Sequence, residues 1–246
     1  MRVLWGFLAI FMLLSAVSVE AKVCGGAVAC GCGDVLVGKS TLQEDLLSCP
    51  VDGLRLRQTA VLDCDGYALT GVGRGTGLIL DRTEGAEVRN CMVSGFRNGI
   101  RVRGGSSNRI EDNEVIDNSR YGMDLSLRTT GNWIEGNLIS ASGDEGVHIG
   151  SGSDLNFLLF NDVENSGAEN IYLLDVRHIF LIGNNLSGSG SAAIYMKHAQ
   201  KSLLLLNSIE DRVLQVRGAS HDNAFVLNHL SGAGYVFEAY EETRNR

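Results

Sequence analysis

Ionisable and aromatic side chains recur along this 246-residue sequence at a nearly fixed interval. Arg101, Asp124, His148, Tyr172 and Tyr195 follow one another at spacings of 23, 24, 24 and 23. Lys197 and Arg217 stand 20 apart, two residues beyond Tyr195 and Gln215. Arg103, Glu145 and Glu169 accompany the same series. If each interval is one turn of a stacked coil, the series becomes a line on one surface. Cations, carboxylates, an imidazole and phenols in one line supply what proton abstraction beside a carboxylate requires: a neutralising charge, a base and an acid. The same set suits an extended acidic polysaccharide, because tyrosines stack on sugar rings and arginine forks take uronate carboxylates in bidentate fashion. The plainer alternative is that outward strand residues are polar in any case, and that opposite charges on neighbouring strands support a sheet.

The element that positions these residues is a repeated strand. It reads GLRL at 53, GLIL at 77, GIRV at 99, GMDL at 122, GVHI at 146, NIYL at 170, AIYM at 193 and VLQV at 213. Strand alternation sends Ile100 and Val102, Met123 and Leu125, and their equivalents to one face, and Arg101, Asp124 and His148 to the other. A second register runs through single asparagines: Asn113, Asn137, Asn161, Asn184, Asn207 and Asn228, at spacings of 24, 24, 23, 23 and 21. Each has an apolar residue three before it and another two after it. A period of this length signals a repeat architecture. The fixed leucine–asparagine consensus of leucine-rich repeats is absent, and a propeller blade needs about 40 residues. The pattern predicts an all-β, right-handed, single-stranded parallel β-helix of about eight or nine coils over 53–246. The asparagines are expected to stack from coil to coil and satisfy one another's amides.

The six cysteines all lie between Cys24 and Cys91, and residues 22–52 read as a cysteine-rich N-terminal cap. Within it Thr41–Leu47 reads as a short helix or a first strand. An even, clustered set of cysteines in an exported chain reads as disulfides, with 15 possible pairings. A metal site at Cys30-Gly31-Cys32 is the rival, but the ligand pairs do not recur at zinc spacing. Cys64 and Cys91 occupy equivalent places one coil apart, so they are expected to pair. Cys91 also takes the place before Asn113 in the asparagine series.

Residues 1–21 read as a signal peptide: Arg2, an apolar run, and a small-residue cleavage site at Val19-Glu20-Ala21. A membrane anchor is the alternative, though the run is short for one. The expected location is therefore outside the cytoplasm, periplasmic or secreted, with no membrane span after cleavage. The formal charge of −8 disfavours nucleic acid and anionic membranes as general partners.

Residues 53–230 resemble the right-handed parallel β-helix superfamily of pectate-lyase-like proteins. The motif LDCDG followed by RNCMVSGFRNGI is typical of its exported bacterial members. The stretch from AIYMKHAQ (193–200) through VLQVRGASHDN (213–223) is similar to the alginate lyase and chondroitinase B family. That resemblance implies Lys197 as Brønsted base and Arg217 as acid or charge stabiliser. Calcium is an optional cofactor on this reading. The family's acidic calcium ligands are replaced by Gly190, Ser191 and Ala192, and Glu169 and Asn170 are the nearest alternative oxygens. The stretch YGMDLSLRTTGNWIEGN (121–137) looks like the catalytic coil of mannuronan C5-epimerases. Tyr121 and Asp124 match that coil, and Leu125-Ser126 replaces its Pro-His. The expected function is uronate C5-proton abstraction on an acidic polysaccharide, as lyase or epimerase. Its candidate catalytic residues are Lys197, Arg217, His148 and Tyr172. Arg101, Arg103, Asp124, Tyr195, Glu145 and Glu169 are the expected substrate-binding set. The alternative is a non-catalytic carbohydrate-binding or surface-structural module.

Overall fold

The computed structural model describes residues 21–150, 152–210, 212–232 and 234–237. The expected signal segment lies outside them, save for Ala21. The described chain is a parallel β-solenoid with three sheets along its length. Sheet 1 has eleven strands, and sheets 2 and 3 have nine each. One coil shows the plan: Asn98–Arg103 lies in sheet 1, Arg109–Glu111 in sheet 2 and Glu114–Ile116 in sheet 3. The next coil repeats it with Tyr121–Ser126, Trp133–Glu135 and Leu138–Ser140.

The alternation of the repeated strand explains which side fills the interior. Ile100, Met123, Val147, Ile171, Ile194 and Leu214 stack in register and are buried. Apolar residues at the strand centres of the other two sheets complete one continuous core, among them Ile110, Ile134, Leu158, Val115 and Ile139. The glycine that opens the repeated strand has a packing role. A Cβ on Gly122 would lie 2.4 Å from Ile139 Cγ2 and 2.7 Å from the Gly146 carbonyl oxygen. Only a residue without a side chain lets the coil turn that tightly against its neighbour.

The asparagines form the expected stack. Asn137 Oδ1 accepts from the backbone N–H of Asn113 at 3.0 Å and from its Nδ2 at 2.9 Å. Its own Nδ2 donates to the Ile110 carbonyl and to Asn161 Oδ1, both at 2.9 Å. The pattern runs on through Asn184 and Asn207 to Asn228. At the other end Cys91 N–H donates to Asn113 Oδ1 at 3.1 Å, so the cysteine does precede the asparagines in one line. A second, shorter asparagine stack that the sequence reading missed runs through Asn108, Asn132 and Asn156 at the turn between sheets 1 and 2.

Cys64 and Cys91 are bonded with Cα atoms 4.8 Å apart, tying adjacent coils as expected. The other bridges are Cys24–Cys30 and Cys32–Cys49. The cysteine-rich lead is built of strands. Val35–Leu36 joins sheet 1, Lys39–Thr41 sheet 2 and Leu46–Cys49 sheet 3. No helix forms over Thr41–Leu47, because Lys39–Thr41 pairs with Val61–Asp63 and Leu46–Cys49 with the strand Ala68–Gly71.

Each interior asparagine serves two neighbours, so its loss leaves buried groups unpaired above and below. Asn137→Ala should lower unfolding free energy by about 3 kcal/mol. Asn228→Ala, at the half-exposed end of the stack, should cost about 1 kcal/mol or less. Urea denaturation of both variants checks the ordering.

Candidate active site on sheet 1

Strand register places the spaced residues of the sequence in one outward line. Arg101 pairs with Asp124, Asp124 with His148, His148 with Tyr172, and Tyr172 with Tyr195. A second outward line runs beside it. In it Arg103 lies between Asp81 and Ser126, and Lys197 pairs with Arg217.

Asp124 is the hub. It is buried to 6% exposure, in a position where strand alternation points it outward. Its Oδ2 accepts from Arg101 Nε at 2.9 Å, and its Oδ1 lies 3.1 Å from His148 Nδ1. A buried carboxylate needs such partners, since an unpaired one loses its hydration without compensation. The carboxylate engages Nδ1, so Nε2 is the ring nitrogen available to a ligand. The ring is set from both sides: Tyr121 stacks on it at 5.0 Å between centroids and Tyr172 at 5.6 Å. Gly150 leaves room beneath, because a Cβ there would lie 3.0 Å from His148 Cε1.

The aromatic line continues past His148. Tyr172 stacks on Tyr195 at 5.2 Å, and the Arg217 guanidinium lies 5.6 Å from the Tyr195 ring centroid. At the other end the Arg120 guanidinium covers Tyr121 at 4.2 Å. The sequence showed the outward line but missed the stacking of Tyr121 on His148 and the part played by Gly150. Tyr121 sits three residues before Asp124, across Gly122, so simple alternation does not place it beside the next coil's histidine.

The structure therefore brings Arg101, Asp124, His148, Tyr172, Tyr195 and Arg217 into one continuous row. Lys197 is exposed at its strand end, next to Arg217 in register and two coils from His148. Arg103 is exposed beside the row. Glu145 and Glu169 are half-buried just before their strands, and Glu169 Oε1 accepts from Ser191 Oγ at 3.0 Å. Asn170, considered above as a calcium oxygen, is fully buried with its Nδ2 donating to the Ser187 carbonyl. His198 and His221 lie at turns with Nδ1 2.8 Å from Asp175 and 3.0 Å from Asp222.

Burial pushes three groups in this row upward. The Glu145 carboxyl is raised by burial, and the neighbouring carboxylates Glu169 and Asp144 add to the effect while His148 opposes it. The Tyr121 phenol is raised by burial and then by Glu145. The Tyr172 phenol is raised by burial, then by Tyr195 and Glu169. Both phenols are thus held as neutral O–H donors.

These features define the class: a parallel β-solenoid with a polar and aromatic row along the outer face of one sheet. The chain belongs to the family described as "Periplasmic copper-binding protein (NosD)", whose model matches residues 57–243. No curated protein matches the sequence. Among solved structures it is similar to the A-module of the Azotobacter vinelandii mannuronan C-5 epimerase AlgE6, at 14% identity and TM-score 0.56, covering 85% of this chain and 77% of that one. It is also similar to an alginate lyase from Paenibacillus sp. str. FPU-7, at 13% identity and TM-score 0.54, covering 85% and 91%. A third similar structure is tailspike protein 2 of the Escherichia coli O157:H7 bacteriophage CAB120, at 10% identity and TM-score 0.59, covering 85% of this chain and 34% of the tailspike. At these identities the likeness is one of fold.

The residues present do not fit the copper of the family's description. Among the described residues no group of three or more His, Cys, Asp or Glu side chains is placed to hold a metal ion. All six cysteines are in disulfides, Met123 and Met196 are buried in the core, and the exposed Met92 belongs to no such group. No step below is routed through a metal.

Glu145 gives this row a pH signature. Its folded pKa lies above the unfolded value, so the folded state favours the protonated form, and ionisation above the unfolded pKa of about 4.3 works against folding. Glu145→Gln removes that penalty. The variant's melting temperature should rise relative to the parent as pH goes from about 4 to 7, with the difference smallest at the acid end. Thermal unfolding across that range is the measurement.

Proposed function

We propose that the protein binds a uronate-containing acidic polysaccharide along sheet 1 and abstracts the C5 proton of one uronate, as a lyase or an epimerase. The observation that carries this reading is the hydrogen-bonded row Arg101–Asp124–His148, with the imidazole held between two tyrosines. A base fixed at Nδ1 by a carboxylate presents Nε2 in a set direction, which is the arrangement a general base needs.

Two bases are on offer. The lyase resemblance favours Lys197, and the geometry favours His148. We assign His148 the proton abstraction, because its position is fixed by Asp124, Tyr121 and Tyr172, whereas Lys197 stands exposed at a strand end. In the step, the C5–H bond breaks and the proton passes to His148 Nε2. The electron pair is delocalised into the uronate carboxylate, which a cationic side chain must neutralise. Arg101, two coils from His148 across Asp124, and Arg103 beside it are the candidates for that charge. The pair then either expels the glycosidic oxygen at C4, which takes a proton, or recaptures a proton at C5 from the opposite face. The neutral phenol of Tyr172, beside His148 on the same face, suits the proton donor to the leaving oxygen in elimination, whereas epimerisation takes its proton from solvent on the opposite face. Tyr195, Lys197 and Arg217 extend the row by further coils of about 4.8 Å each, where they serve neighbouring sugars.

The second reading is a carbohydrate-binding module without turnover. The continuous stack from Tyr121 to Tyr195 favours it, since that surface binds sugar rings whether or not chemistry follows. Three disulfides and the periplasmic description of the family support a location outside the cytoplasm. Among the described residues no helix is long and apolar enough to cross a membrane.

The purified protein is to be incubated with alginate, pectate and chondroitin sulfate, with and without calcium. Ultraviolet absorbance follows unsaturated uronate and NMR follows C5 inversion. Turnover of at least one substrate is expected, with His148→Ala lowering kcat by 100-fold or more. Lys197→Ala and Tyr195→Ala should act mainly on KM. If Lys197→Ala abolishes kcat while His148→Ala keeps it, the base is Lys197. Binding without turnover on every substrate establishes the module reading.

A further inference from the structure

Sheet 2 changes character halfway along the solenoid. Its outward residues come in two lines. The first runs Glu87, Arg109, Trp133, Phe157, Phe180, Leu203 and Ala224. The second runs from Arg89 and Glu111 through Glu135 to Leu159, Ile182, Leu205 and Val226. Over the early coils these positions are charged, as solvent-facing strand positions should be. From Phe157 onward neither line carries a charge for four coils. Trp133, Phe157 and Phe180 stack in sequence, at 4.6 and 4.8 Å between ring centroids.

The turn that follows these strands sharpens the contrast. On each coil from Asn90 onward one residue there has positive φ: Asn90, Asp112, Gly136, Phe160, Gly183, Leu206 and Leu227. The early coils use the residue types that tolerate this conformation. The later coils use Phe160, Leu206 and Leu227, which are 62%, 56% and 75% exposed. A bulky apolar side chain gains nothing there for the fold itself, since it is strained by the backbone and wet. The Phe160 ring lies over Gly183, where a Cβ would come within 2.6 Å of it.

We propose that this face of sheet 2 is where a second copy of the chain docks, forming a two-fold dimer with the sheet 1 row left open on each subunit. Three features favour a second copy. The patch exposes on the order of 500 Å² of apolar surface at Trp133, Phe160, Leu206, Val226 and Leu227, taking roughly 200 Å² for a fully exposed large apolar side chain. That stands toward the top of the ~300–600 Å² of the largest patch on a typical monomer, and the half-buried Phe157, Phe180, Ile182, Leu203 and Leu205 add to it. The patch carries no charge, so a two-fold axis brings no like charges together, and strand faces of this kind pack about 10 Å apart. The rim is mixed, with Asp154 and Asp162 beside Arg177 and Lys201, and the net charge of −8 works against an anionic lipid surface as the occupant.

The test is sedimentation velocity on the full chain from about 1 to 50 µM, run on the parent, on the double variant Phe160→Asp/Leu206→Asp, and on Leu227→Asp alone. Aspartate tolerates positive φ, so these exposed sites should keep the fold, which circular dichroism and the melting temperature verify. The parent should sediment as a dimer and the double variant as a monomer, with the dissociation constant raised at least 100-fold. Leu227→Asp should weaken the dimer at least 10-fold. A parent that stays monomeric at 50 µM overturns the proposal, as does a dimer that persists unchanged in both variants. Flotation of the parent with neutral phosphatidylcholine vesicles, lost in the double variant and without dimerisation in solution, would instead assign the face to lipid.

Discussion

A buried amide has to find its hydrogen-bond partners on the coils above and below, and much of this molecule's order follows from that. Asn113, Asn137, Asn161, Asn184 and Asn207 are all essentially shut off from solvent, and each gives its Oδ1 to one neighbouring coil and its Nδ2 to the other. An unpaired amide in that place would cost about 1–3 kcal/mol, so slipping one coil by one residue is penalised at two places at once. Slippage would also turn the interior face of every strand outward. Polar stack and apolar core therefore enforce the same register, and Cys64–Cys91 holds it covalently where the asparagines begin.

Fixed register has a consequence on the outside. Residues with no local relation are forced to lie about 4.8 Å apart, and a run of like charges at that distance is costly. The first outward line avoids this by varying its members, while in the second Lys197 does stand against Arg217. Arg101 sits against Asp124, Asp124 against His148, and neutral phenols follow. The same spacing is close to the length of a pyranose ring in an extended chain, so a surface with one side chain per coil presents about one contact per sugar. Geometry inherited from the fold thus sets the alternation of ring and charge along this face, on which the proposed polysaccharide binding rests.

The asparagine series and the repeated strand were legible because each occupies one position on six or more coils. The outward line was legible because alternation is rigid within a strand, and register confirms it pair by pair. Three things were hidden, each for a physical reason. The stack at Asn108, Asn132 and Asn156 is short, because Ile179 takes the next place and Ser202 the one after, so no single residue type marks it. Tyr121 opens its strand before Gly122, where alternation would aim it inward, yet its ring stacks on His148. The apolar face was concealed by its own composition: FLLF at 157–160 and LLLL at 203–206 read as interior strands, because a continuous apolar run does not reveal which side faces water. The two cap bridges, Cys24–Cys30 and Cys32–Cys49, lie where the coil is irregular and no repeat equates the positions.

Family membership and local chemistry part company at the metal. The match to the family spans residues 57–243, which is nearly the whole stack of coils. A copper centre would need soft or imidazole ligands converging from the exterior or from loops. Here the thiols are consumed in bridges, and three of the imidazoles, His148, His198 and His221, turn Nδ1 to single carboxylates. The solenoid's interior tolerates little change because each coil's core residue touches the coils on either side. Its outward positions are free of that demand, so they can exchange one chemistry for another without altering the stack. A histidine paired with a buried aspartate and set between tyrosines has one imidazole nitrogen directed outward, an arrangement common to proton transfer and metal ligation, so what tells against copper is that no group of three or more His, Cys, Asp or Glu converges among the described residues.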